Sequence, residues 1–143
     1  MAVDSSASTV WRGDLMSGTG HTRLETSSAA EFDVNWRARS TGDGNTTTPE
    51  ELLAAAHSAC FSMAFSNGLA QNGTPPQQLD VSAKVSFVPG TGVTKSALTV
   101  VGTVEGLDAA KFQELAEDAK ANCPVSKALA GIDIELASVT LNS

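Results

Sequence analysis

The chain lacks the features that bind proteins to nucleic acids or membranes. The chain has 9 Lys and Arg residues and 16 Asp and Glu residues, which gives a formal net charge of −7, and the basic residues form no cluster. This balance argues against nucleic acid or an anionic membrane surface as a partner. No basic segment followed by an apolar run opens the sequence, so neither a secretory signal nor a membrane span is expected. A cytoplasmic location is therefore predicted.

Cysteine is scarce, and the sequence contains two, Cys60 and Cys123. In a reducing cytosol, a permanent structural disulfide is a weaker interpretation of two cysteines than transient redox or metal chemistry. Zinc is disfavoured because His57 and His21 are the only imidazoles and the paired short motifs of a four-ligand site are missing. The sequence also lacks a phosphate-binding loop, a dinucleotide fingerprint and a nucleophile elbow.

The apolar pattern predicts one α+β domain spanning residues 1–143. Apolar residues make up 41% of the chain, enough for a core. Strict alternation over residues 79–87 predicts a strand that returns as a second strand over residues 94–104. Further predicted elements are a hairpin within residues 8–25, a strand over 32–39, a helix from Asp108 to Ala121, a helical turn from Pro124 and a last strand from Ile132. The predicted sheet is largely antiparallel and packs on helices.

The strongest helix signal follows Thr48. Thr48 as the N-cap, Pro49 at the first helical position and Glu51 three residues after the cap form a capping box. Residues 52–65 are apolar nearly all round, relieved by His57 and by regularly spaced serines. Such a helix is expected to be covered on most sides.

Cys60 lies well inside this helix, too far from its N-terminus for the helix dipole to stabilise a thiolate. Burial alone would raise its pKa, so a reactive Cys60 requires a nearby cation. Arg37 and Arg39, two residues apart on one face of the predicted strand, are the candidate donors, and Glu50 is available to hold a guanidinium. The alternative is that Glu50 only complements the helix dipole and that the arginines are solvated.

Cys123 precedes Pro124, which places its side chain near the N-terminal amides of a short helix. That position favours a thiolate, so local physics makes Cys123 the more acidic of the two cysteines. Spacing does not decide which thiol attacks first. The alternative is that both cysteines are small buried hydrophobic residues that never meet.

Three segments resemble a known family. They read TPEELLAAAHSACFSMA at residues 48–64, NCPVS at residues 122–126 and WRGD at residues 11–14. Together they are similar to the osmotically inducible protein C branch of the family that also contains the organic hydroperoxide resistance proteins. The resemblance extends over nearly the whole chain.

The resemblance assigns roles and a fold that local reasoning leaves open. It implies that Cys60 is the peroxidatic thiol and Cys123 the resolving thiol, with Arg37 chosen over Arg39 and Glu50 over Glu51. It also implies an intertwined homodimer with a central buried helix and two equivalent sites at the subunit interface. In such a dimer, either chain could supply the arginine.

The function implied is reduction of an organic hydroperoxide to an alcohol in oxidative or osmotic stress defence. A Cys60 sulfenate and a Cys60–Cys123 disulfide would be the intermediates, and an external dithiol, such as a lipoylated protein, would be the reductant. No metal or bound organic cofactor is required. Phe61, Met63 and Phe65 suggest a preference for organic hydroperoxides over hydrogen peroxide, unless they are core residues. The alternative function is a non-catalytic stress protein that binds a small apolar ligand.

Overall fold

The computed structural model describes residues 1–43 and 45–142. The chain forms two compact units, Met1–Pro49 and Glu50–Ser143. Each unit has its own β-sheet of three strands. The expectation of a single domain over residues 1–143 stays a prediction.

The first unit is built on an antiparallel sheet. Strand β1 (Ala7–Arg12) pairs with β2 (Thr19–Leu24), which pairs in turn with β3 (Glu31–Val34). The turn between β1 and β2 is held by Asp14, whose Oδ1 accepts a hydrogen bond of 2.8 Å from the Ser17 amide. The predicted N-terminal hairpin is therefore confirmed.

The predicted strand over residues 32–39 is correct only in its first half. After β3, the chain turns into the short helix α1 (Trp36–Thr41). Asn35 starts this helix, because its Oδ1 accepts a hydrogen bond of 2.8 Å from the Ala38 amide. Arg37 and Arg39 therefore lie on a helix, where residues two apart do not share a face, and the expectation that they do was wrong.

The second unit combines a long helix with a mixed sheet. Helix α2 (Pro49–Gln71) precedes a hairpin of β4 (Gln78–Val88) and β5 (Gly92–Thr103), as predicted. Strand β6 (Asp133–Asn142) pairs with the other edge of β5, in parallel. A parallel neighbour requires a crossover connection, which α3 (Ala109–Asn122) and α4 (Pro124–Ala128) supply. The α+β class is confirmed.

The core of the second unit lies between α2, α3 and β5. Helix α2 buries one face through residues spaced four apart, and α3 buries a stripe that begins at Phe112. The Phe65 ring packs at 5.5 Å from the Phe61 ring and at 4.9 Å from the Phe112 ring, measured between centroids. The buried cluster comprises Phe61, Phe65, Leu69, Leu98, Val100, Val104, Phe112, Ala116, Ala119 and Cys123.

The opposite face of α2 is exposed in the single chain. Met63 is 73% exposed, and Ala55, Ala56 and Ala59 on the same helix are exposed as well. One copy of the chain therefore does not supply the cover expected for an all-round apolar helix. Among the described residues, no helix combines the length and apolarity that crossing a bilayer requires.

Close packing at Gly102 gives a stability prediction. A Cβ built on Gly102 would lie 2.4 Å from the tip of the Phe112 ring, which is itself buried. Gly102→Ala is expected to lower the free energy of unfolding by about 1–3 kcal/mol, because the ring has to shift within a packed core. Urea denaturation measures the change. Gly131→Ala is the control, since nothing lies within 4 Å of its Cβ position, and equal effects of the two substitutions would contradict the packing argument.

Candidate active site

Two cysteines that are distant in the sequence meet in the second unit. Cys60 lies on α2 and is half-buried, and Cys123 is fully buried in the turn between α3 and α4. Both are free thiols, and their side chains hydrogen-bond to each other. The alternative in which the two sulfurs never meet is therefore wrong.

The surroundings of Cys60 disfavour its ionised form. Burial raises the pKa of Cys60 above the ordinary thiol value, and the neighbouring Cys123 raises it further. A hydrogen bond from the Val125 amide opposes these effects only in part. A reactive Cys60 therefore needs a positive charge from elsewhere.

Cys123 has the opposite tendency. Burial acts to raise its pKa, but hydrogen bonds from Cys60, from the amide and hydroxyl of Ser126 and from the Val125 amide outweigh burial and bring the pKa below the ordinary thiol value. This direction agrees with the acidity expected from its position before Pro124.

His57 lies one turn before Cys60 and is fully buried. Its Nδ1 is 2.6 Å from the Ser96 hydroxyl on β5, and its Nε2 is 2.8 Å from the Ser126 hydroxyl on α4. Burial lowers the pKa of His57, so the ring is neutral at pH 7. This side chain therefore connects the helix of Cys60 to the turn of Cys123.

The other two predicted site residues have different surroundings. Arg37 belongs to the first unit, where its guanidinium forms an ion pair with Asp43 and its side chain is 77% exposed. Glu50 belongs to the second unit, in the first turn of α2, and is 6% exposed. A buried carboxylate near a helix start fits a structural role as well as the predicted one.

A groove of about 920 Å³ opens beside Cys60 between α2 and α3. It is lined on one side by Met63, Ala64 and Asn67 and on the other by Leu115, Asp118 and Asn122. The lining thus combines apolar side chains with amide groups and a carboxylate. Such a lining suits a substrate with an apolar body and a polar end.

Sequence reasoning missed the partners of two residues, His57 and Arg37. Ser96 and Ser126 bind the ring of His57, and Asp43 pairs with Arg37. Ser96 left a signal, since it shares a face of β5 with the buried Leu98 and Val100, and a polar residue at a core position usually has a buried partner. The sequence indicated Ser126 only as a member of the Cys-Pro-Val-Ser segment and did not indicate its contact with His57.

His21 belongs to the first unit, where it lies between two carboxylates. Its ring nitrogens are 2.9 Å from Asp33 and 2.8 Å from Glu31. Hydrogen bonds to these two carboxylates raise the pKa of His21. Across residues 1–43 and 45–142, no group of three or more His, Cys, Asp or Glu side chains is arranged to hold a metal ion.

One curated relative covers nearly the whole chain and another covers somewhat less than two thirds of it. Peroxiredoxin OsmC of Escherichia coli strain K12 is 37% identical over 132 residues, which span 90% of this chain and 92% of that protein. Organic hydroperoxide resistance protein OhrB of Bacillus subtilis is 35% identical over 93 residues, 63% of this chain and 68% of that protein.

Solved structures and a family model agree with these relatives. The crystal structure of OhrB from Bacillus subtilis superposes with a TM-score of 0.67 at 26% identity, covering 96% of this chain and 98% of that one. An OsmC-like protein from Mycoplasma pneumoniae has the same fold, with a TM-score of 0.73 at 15% identity and full coverage of both chains. The model of the OsmC-like protein family matches residues 42–137. This chain therefore belongs to the OsmC-like protein family.

Proposed function

We propose that this protein is a thiol peroxidase that reduces organic hydroperoxides in stress defence. The observation that carries the proposal is the hydrogen-bonded contact of Cys60 and Cys123, two thiols from distant segments, beside a groove large enough for a small organic molecule. The names of the relatives, a peroxiredoxin and an organic hydroperoxide resistance protein, support the same chemistry. The amides and the carboxylate in the groove argue against the alternative, a cleft for a purely apolar ligand.

The first step is attack by the Cys60 thiolate on the terminal oxygen of the hydroperoxide. The O–O bond breaks, the alkoxide takes up a proton and leaves as the alcohol, and Cys60 becomes a sulfenic acid. Because burial and Cys123 both raise the pKa of Cys60, the ionised form needs a cation. Arg37, from the same chain or from a partner subunit, supplies this charge, and Glu50 orients the arginine.

The second step closes a disulfide. The Cys123 thiolate attacks the sulfenic sulfur of Cys60, the S–O bond breaks, and hydroxide leaves and is protonated to water. An external dithiol, for example a lipoylated protein, then reduces the disulfide by thiol exchange. The lowered pKa of Cys123 supports its role in this step, because the thiolate is the attacking form.

The active form is a homodimer. The apolar residues Ala55, Ala56 and Ala59 face outward from α2 in one chain, and a second copy would bury them. Burial of such a face stabilises association by about 25 cal/mol per Å² of apolar surface. Sedimentation equilibrium measures the mass, and a monomer at micromolar concentration would contradict the dimer.

The substrate preference rests on one of the three apolar neighbours of Cys60. Phe61 and Phe65 are fully buried core residues, so they do not contact a substrate. Met63 is exposed and lines the groove. Contact with Met63 favours a hydroperoxide that carries an apolar group.

Steady-state turnover with dihydrolipoamide as the dithiol tests the activity. We expect kcat/KM for cumene hydroperoxide to exceed that for hydrogen peroxide by about tenfold or more, because apolar contact in a pocket distinguishes the two substrates by that order. Equal values would remove the preference for organic substrates. No consumption of either peroxide with any dithiol would reject the proposed function.

A further inference from the structure

His57 is a buried polar side chain that the reaction described above does not use. Its relative exposure is 0%, and both ring nitrogens engage hydroxyl groups. These hydroxyls come from two other elements, Ser96 on β5 and Ser126 on α4. The His57 ring thus connects α2, β5 and α4. His57 lies on α2, three residues before Cys60.

The hydrogen bonds of this network have a defined direction when Cys123 is ionised. A neutral imidazole has one N–H donor and one nitrogen acceptor, and a serine hydroxyl has one proton. The Ser126 hydroxyl uses its proton on the Cys123 sulfur, so it has to accept from His57. The ring therefore carries its proton on Nε2, and Nδ1 accepts from the Ser96 hydroxyl.

We propose that His57 is a positioning residue for the disulfide-forming step, because it fixes Ser126, and with it the start of α4, against the helix that carries Cys60. The inference rests on the proposed peroxidase function and adds a residue that acts through another one. Ser126 holds the Cys123 sulfur as thiolate and aims it at Cys60. His57 holds Ser126.

Disulfide formation, the step that His57 and Ser126 support, needs no further oxidant or reductant. The Cys123 sulfur forms a bond to the Cys60 sulfur, and the S–O bond of the sulfenic acid breaks. Cys123 is oxidised while the sulfenic sulfur is reduced to the disulfide level, and the leaving hydroxide is protonated to water. Formation of the sulfenic acid comes earlier and does not need Cys123 as a nucleophile.

Two serine substitutions form a matched pair for the test. Ser126→Ala and Ser96→Ala each remove one buried hydroxyl from the His57 ring, so both are expected to lower the Tm by a similar amount. Ser96 binds the ring at Nδ1, the nitrogen that does not contact Ser126. Rapid-quench intact mass measurement after one equivalent of cumene hydroperoxide separates the two steps. The sulfenic acid appears as a protein mass increased by one oxygen, and the disulfide appears as a mass two hydrogens below that of the reduced protein.

We expect Ser126→Ala to slow disulfide formation about tenfold, because the Cys123 thiolate loses a hydrogen-bond donor. Sulfenic acid formation in Ser126→Ala should stay within about twofold of the wild-type rate. In Ser96→Ala, the rates of sulfenic acid formation and of disulfide formation should both stay within about twofold of wild type. Ser126→Thr keeps the hydroxyl and should restore most of the rate. Equal slowing in the two alanine variants, or a wild-type rate in Ser126→Ala, would overturn the inference.

Nitrogen NMR of the reduced protein tests the role of His57 without a substitution. With ring nitrogens labelled, the reduced protein should show a neutral His57 with its proton on Nε2 once the pH is high enough for Cys123 to be ionised. A proton on Nδ1 would reverse the direction of the network and overturn the inference. If wild type forms no sulfenic acid at all, the proposed function fails, whereas normal sulfenic acid formation with unchanged resolution in Ser126→Ala rejects only the role of His57 and Ser126.

Discussion

Cys60→Ser is expected to abolish peroxide reduction, with kcat/KM for cumene hydroperoxide falling by about a thousandfold or more. A serine hydroxyl is not ionised at neutral pH and cannot form a sulfenic acid, so the first step has no nucleophile. The substitution is nearly isosteric at a half-buried site, and a large change in stability is not expected. Loss of peroxide in a coupled dithiol assay measures the effect.

Cys123→Ser is the matched comparison, since it removes the other thiol of the same contact. This variant should still consume one equivalent of peroxide and then accumulate sulfenic or sulfinic acid at Cys60, because the disulfide cannot form. Intact mass measurement shows which species accumulates. Full peroxide reduction by Cys60→Ser would contradict the mechanism, whereas stress protection that survives the substitution would favour the alternative role as a ligand-binding stress protein.

Arg37→Ala is expected to lower kcat/KM at neutral pH by about a hundredfold, because an opposite charge beside a thiolate typically lowers its pKa by about one to three units. Without the guanidinium, the effects of burial and of Cys123 leave the pKa of Cys60 raised. Below that pKa, the thiolate fraction falls about tenfold with each pH unit. The deficit should therefore be largest at low pH and should shrink as the pH rises. A pH profile of kcat/KM for both proteins measures it.

Arg23→Ala supplies the control for charge alone. Arg23 lies on β2 in the same unit as Arg37, and its side chain is 54% exposed and lies near Glu25 and Glu31. Its removal changes the net charge by the same amount but should leave the pH profile unchanged. Equal deficits in the two variants would mean that net charge, and not a placed guanidinium, supports the thiolate.

Most of the second unit was predictable because its signals are local. The start of α2 at Pro49, the alternation in β4 and the Asp108 cap of α3, whose Oδ1 accepts from the Lys111 amide at 2.8 Å, all follow from signals within a few residues. The parallel pairing of β6 was not predictable, because the sequence of a single strand does not indicate whether its neighbour runs parallel or antiparallel.

The segment after β3 shows how a periodic pattern can mislead. Residues 32–39 alternate loosely between apolar and polar side chains, which is typical of a strand. Asn35, however, accepts from the Ala38 amide, and this one bond starts a helix at Trp36. A local cap therefore outweighed a weak alternation over so short a stretch.

The site was less predictable than the fold, because its contacts join distant segments. Local reasoning identified both cysteines and the greater acidity of Cys123, but no spacing rule brings α2 next to the turn before α4. Ser96 on β5 and Ser126 on α4 are recognised as partners of His57 only when all three elements have packed. The partner of Arg37 on its own unit, Asp43, was likewise not expected.

The parallel pairing of β6 with β5 matters during synthesis of the chain. Cys123 lies on the crossover between these strands, so the segment that carries it is anchored at both ends only after β6 has emerged and paired. Translation adds about 5–20 residues per second, and Cys60 leaves the ribosome well before β6. A ribosome that stalls in this interval holds a nascent chain whose Cys60 lacks a secured partner. A sulfenic acid formed on this sulfur at that moment has no resolving thiol in place, which leaves it open to oxidation to the sulfinic acid, from which thiols do not recover it.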